Sequence, residues 1–164
     1  MTVRLVRPPE AKTLALDLRG LDADGAFSGY ASVFGEPDLA RDIVEPGAFA
    51  ASLARRGVAG IKMLWHHDPA EPIGTWTEIR EDARGLAVRG RILTELARGR
   101  EALVLLRAGA VDGLSIGFRT VRARPEAPGR KGAGRRLLEV DLWEISLVTF
   151  PMLPAARVDS RRRK

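Results

Sequence analysis

The run Gly113-Leu114-Ser115-Ile116-Gly117-Phe118-Arg119-Thr120-Val121 sets a serine between two aliphatic residues and then carries on as a strand, with no helix behind it. The segments on both sides read as strands as well. Upstream, Thr13 to Leu18 alternates apolar and polar residues, and Gly25 to Phe34 (GAFSGYASVF) is rich in small and aromatic residues around glycine, so both suggest strands of an antiparallel sheet. After a turn at Glu36-Pro37-Asp38, Ile61 to His67 follows as a strand; a turn at Pro69 and Pro72 then leads into a hairpin of Ile73 to Ile79 and Gly85 to Leu93. Downstream, a Pro/Gly/Arg loop separates the serine strand from a last strand over Leu137 to Phe150.

Two helices interrupt this pattern. Ala48 to Arg56 is opened by Glu45-Pro46-Gly47 and carries Phe49 and Leu53 at helical spacing, and Glu95 to Ala108 is capped by Thr94 and stopped at Gly109. Many short strands with only two helices point to a mainly β, α+β fold: a closed or nearly closed barrel or sandwich with helices packed outside. Strict βαβ alternation is absent, which argues against a doubly wound sheet.

With 164 residues, 45% of them hydrophobic, the chain suits one domain with an ordinary core. We expect that domain over residues 1–156, with its core at about 13–154, and a basic flexible tail at 157–164. The lack of cysteine excludes disulfides, thiolate metal sites and cysteine nucleophiles. Two adjacent histidines do not easily share one tetrahedral ion, so zinc is not expected. No apolar run approaches the roughly 20 residues of a membrane span, and Met1-Thr2-Val3-Arg4-Leu5 does not start a signal peptide's long apolar segment; a soluble, intracellular protein is expected. The net charge is +6 and the pI near 10.6. Much of the excess sits in Arg122 to Arg136 (RARPEAPGRKGAGRR) and in Arg161-Arg162-Arg163-Lys164, which read as solvated loop and tail rather than as a shaped nucleic-acid groove. Aromatic residues, at 5%, offer few stacking platforms for single strands.

A serine hydroxyl is a poor nucleophile at neutral pH, so a serine that does chemistry needs an imidazole within reach and a third group to orient that imidazole. The only histidines are adjacent, in Leu64-Trp65-His66-His67-Asp68, and an acid follows the serine strand in Leu142-Trp143-Glu144-Ile145-Ser146. On an extended strand Ile61, Met63, Trp65 and His67 share one face, which makes His67 the histidine on the more apolar face. By the same rule Leu138, Val140, Leu142 and Glu144 form one row that ends in a carboxylate, whose burial a partner imidazole would offset. Taken singly, each residue has a plainer reading: a structural hydrogen-bonding histidine, a small serine where backbones approach, or a glutamate paired with an arginine. Gly113 to Gly117 also fits the G-x-S-x-G nucleophile elbow of α/β-hydrolases, but an elbow needs a helix after its serine and a histidine late in the chain. Here both histidines precede Ser115, and the order His, Ser, acid requires another scaffold.

At these residues the sequence resembles the prohead (procapsid) maturation proteases of tailed phages and related gene transfer agents. The resemblance runs from about Gly29 to Ala156 through GYASVF (29–34), DIVEPGAF (42–49), LWHHD (64–68) with Pro72-Ile73-Gly74, Gly85-Leu86, GLSIGF (113–118) and WEISLVTFP (143–151). It implies a serine endopeptidase with a herpesvirus protease (assemblin)-like barrel wrapped by helices. It further implies His67 as base, Ser115 as nucleophile, Glu144 as the third member, and neither metal nor cofactor. The implied substrate is a major capsid protein precursor or scaffold, and the chain itself, in the host cytoplasm and inside the immature prohead. A homo-oligomer is expected, with Leu96, Leu103 and Leu106 either a candidate interface or, equally, part of the core, and no specific nucleic-acid or membrane partner. This chain departs from the family at His66, commonly Asn or Gln, and at Leu153, often Asn. The rival readings are a non-catalytic capsid-assembly or scaffold-binding module of the same fold, and a basic nucleic-acid-binding barrel.

Overall fold

The structure, a computed structural model, describes residues 21, 24–127, 129, 134–150 and 152, together with the backbone of 11–17. Its strands are β1 (Ala11–Asp17), β2 (Ala26–Val33), β3 (Ile43–Val44), β4 (Lys62–Trp65), β5 (Asp68–Glu81), β6 (Gly85–Ile92), β7 (Gly113–Pro125) and β8 (Arg135–Val148), and its helices α1 (Ala50–Arg56) and α2 (Ala97–Arg107). Seven strands pair round in a ring, in the order β7-β1-β2-β6-β5-β4-β8 and back to β7, with β3 added beside β8. The mainly β barrel with outer helices agrees with the expectation from sequence. The sheet is not wholly antiparallel, however: β3 and β4 each run parallel to β8.

The barrel is filled by apolar residues from every strand described with side chains, among them Ile73, Leu86, Ile92, Leu114, Ile116, Leu142 and Ile145, all essentially without exposed surface. Phe27 and Trp76 meet edge to face with ring centroids 5.6 Å apart. Helix α1 lies on β8. Its first turn lacks a side-chain cap of its own; instead Glu81 at the end of β5 accepts the backbone N–H of Gly47 and of Phe49, answering donors that a helix start leaves open. Helix α2 buries Ala102, Leu103 and Leu106. Leu103 and Leu106 therefore belong to the core and cannot form the suggested interface, and only Leu96 of that set is exposed.

Several expected boundaries move, each for a local reason. Pro69 and Pro72 do not make a separate turn but lie within β5, where its pairing with β4 is irregular and a missing N–H is tolerated. Thr94 does not cap α2, which begins after Leu96; the Thr94 carbonyl instead accepts from Arg100. The arginine-rich loop is shorter than expected because β7 and β8 extend into it, with Arg135 paired to Asp42 and Arg136 to Glu45 and Glu126. Leu18, Leu153, residues 128, 130–133 and the tail 157–164 lie outside the described residues. No helix among the described residues is long and apolar enough to cross a membrane.

Candidate active site

β7 and β8 pair antiparallel, with Leu114 opposite Leu147 and Ile116 opposite Ile145, all four buried in the barrel core. Successive strand residues point to opposite faces, so the pairs between them, Ser115 opposite Ser146 and Gly117 opposite Glu144, share the other face. Simple alternation from Val140 and Leu142 would aim Glu144 at the core instead. The register shifts between Gly117↔Glu144 and Phe118↔Leu142, leaving Trp143 as an extra residue on β8. Such a bulge reverses the facing of everything after it, and it turns Glu144 onto the side of Ser115. The single row expected for Leu138, Val140, Leu142 and Glu144 is corrected accordingly. Leu137 rather than Leu138 is buried, and Glu144 leaves the row at the bulge.

The histidines arrive through the parallel pairing of β4 with β8, which sets Leu64 beside Ser146 and Trp65 beside Leu147. β4 stops at Trp65, and His66 and His67 both take positive φ, 50° and 62°, a conformation that costs a non-glycine residue on the order of 1 kcal/mol or more. Two hydrogen bonds hold the turn: the His66 N–H donates to the Leu147 carbonyl (3.0 Å) and the His67 N–H to the Ser146 hydroxyl (3.0 Å). The expectation that His67 shares a strand face with Met63 and Trp65 is therefore wrong in its geometry, although it selects the histidine that meets the serine.

His67 Nε2 lies 2.8 Å from Ser115 Oγ, and His67 Nδ1 is hydrogen-bonded to Glu144 Oε1. An ionised carboxylate only accepts, so Nδ1 carries the ring proton and Nε2 presents its lone pair to the serine hydroxyl. The Ser146 hydroxyl donates to the second oxygen of Glu144 over 2.5 Å. Gly117 leaves the space the carboxylate occupies: a Cβ there would stand 2.0 Å from Glu144 Oε1. Ser115 is 1% exposed, and the side chains of His67 and Glu144 keep 18% and 12% of their surface, so the relay is shielded from competing water.

His66 points elsewhere. Its ring meets Trp65 edge-on and its Nε2 lies 3.4 Å from Thr149 Oγ1. Partial desolvation, with the charges of His67 and Arg98, pushes its imidazole below the usual value. Among the described residues no group of three or more histidine or acidic side chains is arranged to hold a metal ion. The three residues expected from sequence are thus brought together, while Ser146, Gly117 and the Trp143 bulge were not singled out. Their only signal was that Ser146 and Trp143 stand in the same WEIS run as Glu144.

An acid, an imidazole and a serine hydroxyl hydrogen-bonded in series on a closed barrel are the arrangement by which serine hydrolases are recognised. Within that class the chain belongs to the caudovirus prohead serine protease family, whose sequence profile it matches over residues 13–164. It is 34% identical over 151 residues to the prohead protease of Enterobacteria phage HK97, covering 88% of this chain and 65% of that protein. It is 32% identical over 152 residues to a capsid polyprotein of Pseudomonas phage PAJU2, covering 88% of this chain and 21% of that one. The chain thus spans just under two thirds of one relative and about a fifth of the other. The fold is similar to that of the bacteriophage T4 capsid assembly protease, gp21, with a TM-score of 0.60 at 12% identity over 87% of this chain and 97% of that one.

Proposed function

We propose that this chain is the serine endopeptidase of a tailed-phage or gene-transfer-agent prohead, with Ser115 as nucleophile, His67 as general base and acid, and Glu144 as the group that orients His67. The observation that carries the proposal is the unbroken relay from Glu144 through His67 to Ser115. Ser115 Oγ attacks a peptide carbonyl as its proton passes to His67 Nε2. Backbone N–H groups hold the oxyanion, at about 3 kcal/mol per donor in serine proteases. His67 then gives the proton to the leaving amine, the C–N bond breaks, and water releases the acyl group by the same route. Each proton transfer runs through His67, so the steps call on neither metal nor cofactor.

For substrate we propose the precursor of the major capsid protein or its scaffold, cleaved inside the immature prohead in the bacterial host, with self-cleavage as a second reaction. The kinship to a capsid polyprotein supports this choice. A homo-oligomer would confine activity to assembled particles, where the local concentration is high. The scaffold-binding alternative leaves the relay without a purpose. The basic-barrel alternative is disfavoured because arginines such as Arg55, Arg56, Arg98 and Arg136 answer acids of the fold. Reaction with a fluorophosphonate and peptide mass mapping tests the nucleophile: the adduct is expected on Ser115 and absent from Ser115→Ala. An adduct spread over other hydroxyls, or none, contradicts the assignment.

A further inference from the structure

Ser146 lies beneath the site with none of its surface exposed, and its one hydroxyl is used twice. It accepts the N–H of His67 and donates to Glu144 Oε2. Those two partners belong to different, neighbouring strands: His67 sits in the positive-φ turn after β4, and Glu144 follows the bulge of β8. Both placements are ones a chain does not adopt by default, and an imidazole and a carboxylate that are each free to relax need not meet.

We propose that Ser146 is a positioning residue that locks base and acid to each other, so that the relay is set before substrate arrives. This inference rests on the reading of Ser115, His67 and Glu144 as a peptidase relay. The hydroxyl has one proton, which goes to the acceptor-only carboxylate, and a lone pair, which takes the backbone N–H. No other residue type of this size meets both demands. Alanine leaves a buried N–H and a carboxylate oxygen without their partner, and cysteine fills the space but hydrogen-bonds weakly. On the other side of Glu144, Gly117 is the wall against which the carboxylate is held. Positional freedom of the order of 1 Å in such a relay lowers the rate about 100-fold.

The test is the pseudo-first-order rate at which a fluorophosphonate labels Ser115 in wild type, Ser146→Ala, Ser146→Cys and Gly117→Ala. The downfield proton resonance of the His67 Nδ1–H is recorded alongside each rate. Ser146→Ala and Ser146→Cys are expected to label about 100-fold more slowly and to lose or shift that resonance, while Ser146→Cys, which creates no cavity, loses less melting temperature than Ser146→Ala. Gly117→Ala is expected to slow labelling by displacing the carboxylate from the other side. Wild-type labelling rates in a folded Ser146→Cys would overturn the positioning role and leave the relay standing. A wild type no more reactive than Ser115→Ala would overturn the relay itself, and this inference with it.

Discussion

His67 and His66 differ by one position and, in this fold, by everything that matters for chemistry. His67 touches both Ser115 and Glu144, whereas His66 turns toward Thr149. His67→Ala is expected to reduce turnover at least about 10⁴-fold, and Glu144→Gln, which leaves Nδ1 without an anionic acceptor, by about 10³ to 10⁴. His66→Asn should stay within about threefold of wild type, as steady-state kinetics on a cleaved peptide would show; a loss comparable to that of His67→Ala would mean the base is misassigned. The candidate base was legible because the sequence holds only one pair of histidines, whereas Ser115 and Glu144 were picked out by the family-like GLSIGF and WEIS blocks. Ser146 was not. A serine in a strand reads as a small residue until its partners are known, and its partners are set by a parallel pairing and a bulge that periodicity does not reveal.

At the scale of elements, the site depends on what holds β8 against its neighbours. Helix α1 does much of this. Ser52 accepts the Leu142 N–H at 2.8 Å, and Arg55 and Arg56 converge on Asp141, which is 4% exposed and also accepts from Trp143 Nε1. The Arg56 guanidinium then stacks over the Trp143 ring at the bulge. Hydrogen bonds from Arg56, reinforced by Arg55 against the opposing effect of burial, hold the Asp141 carboxyl well below its ordinary value of 3.8. A carboxyl depressed in the folded state contributes stability that is present above the unfolded value and lost as pH falls through the folded one. The melting-temperature gap between wild type and Asp141→Asn should therefore be full above about pH 5 and close as the medium is acidified below about pH 4. A gap independent of pH would show that the charge of Asp141 contributes nothing.

Phe49, at the start of α1, is fully buried and tilted against Phe34. Phe49→Ala is expected to cost about 3–5 kcal/mol in denaturant unfolding, and a loss below about 1 kcal/mol would mean that α1 is not anchored there. Both helices and every strand but the two-residue β3 were readable from alternation and from the spacing of apolar residues. The end of β4 was not, because Trp65-His66-His67 continues an extended pattern while the backbone turns left-handed, its N–H groups donating to acceptors some eighty positions away.

At the scale of the whole molecule, the ring of strands brings together residues from positions 67, 115 and 144, and it does so within a single chain. The barrel class was legible from the run of short strands and from a serine strand that no helix follows. The parallel placement of β4 beside β8 was not, since nothing in either segment encodes direction. The proposal that this barrel processes a capsid precursor is tested most directly by the intact mass of that precursor, taken from assembled particles after co-expression with wild type, Ser115→Ala or His67→Ala. Loss of an N-terminal segment with wild type alone is the predicted result. An uncut precursor with all three would contradict it and favour the scaffold-binding module.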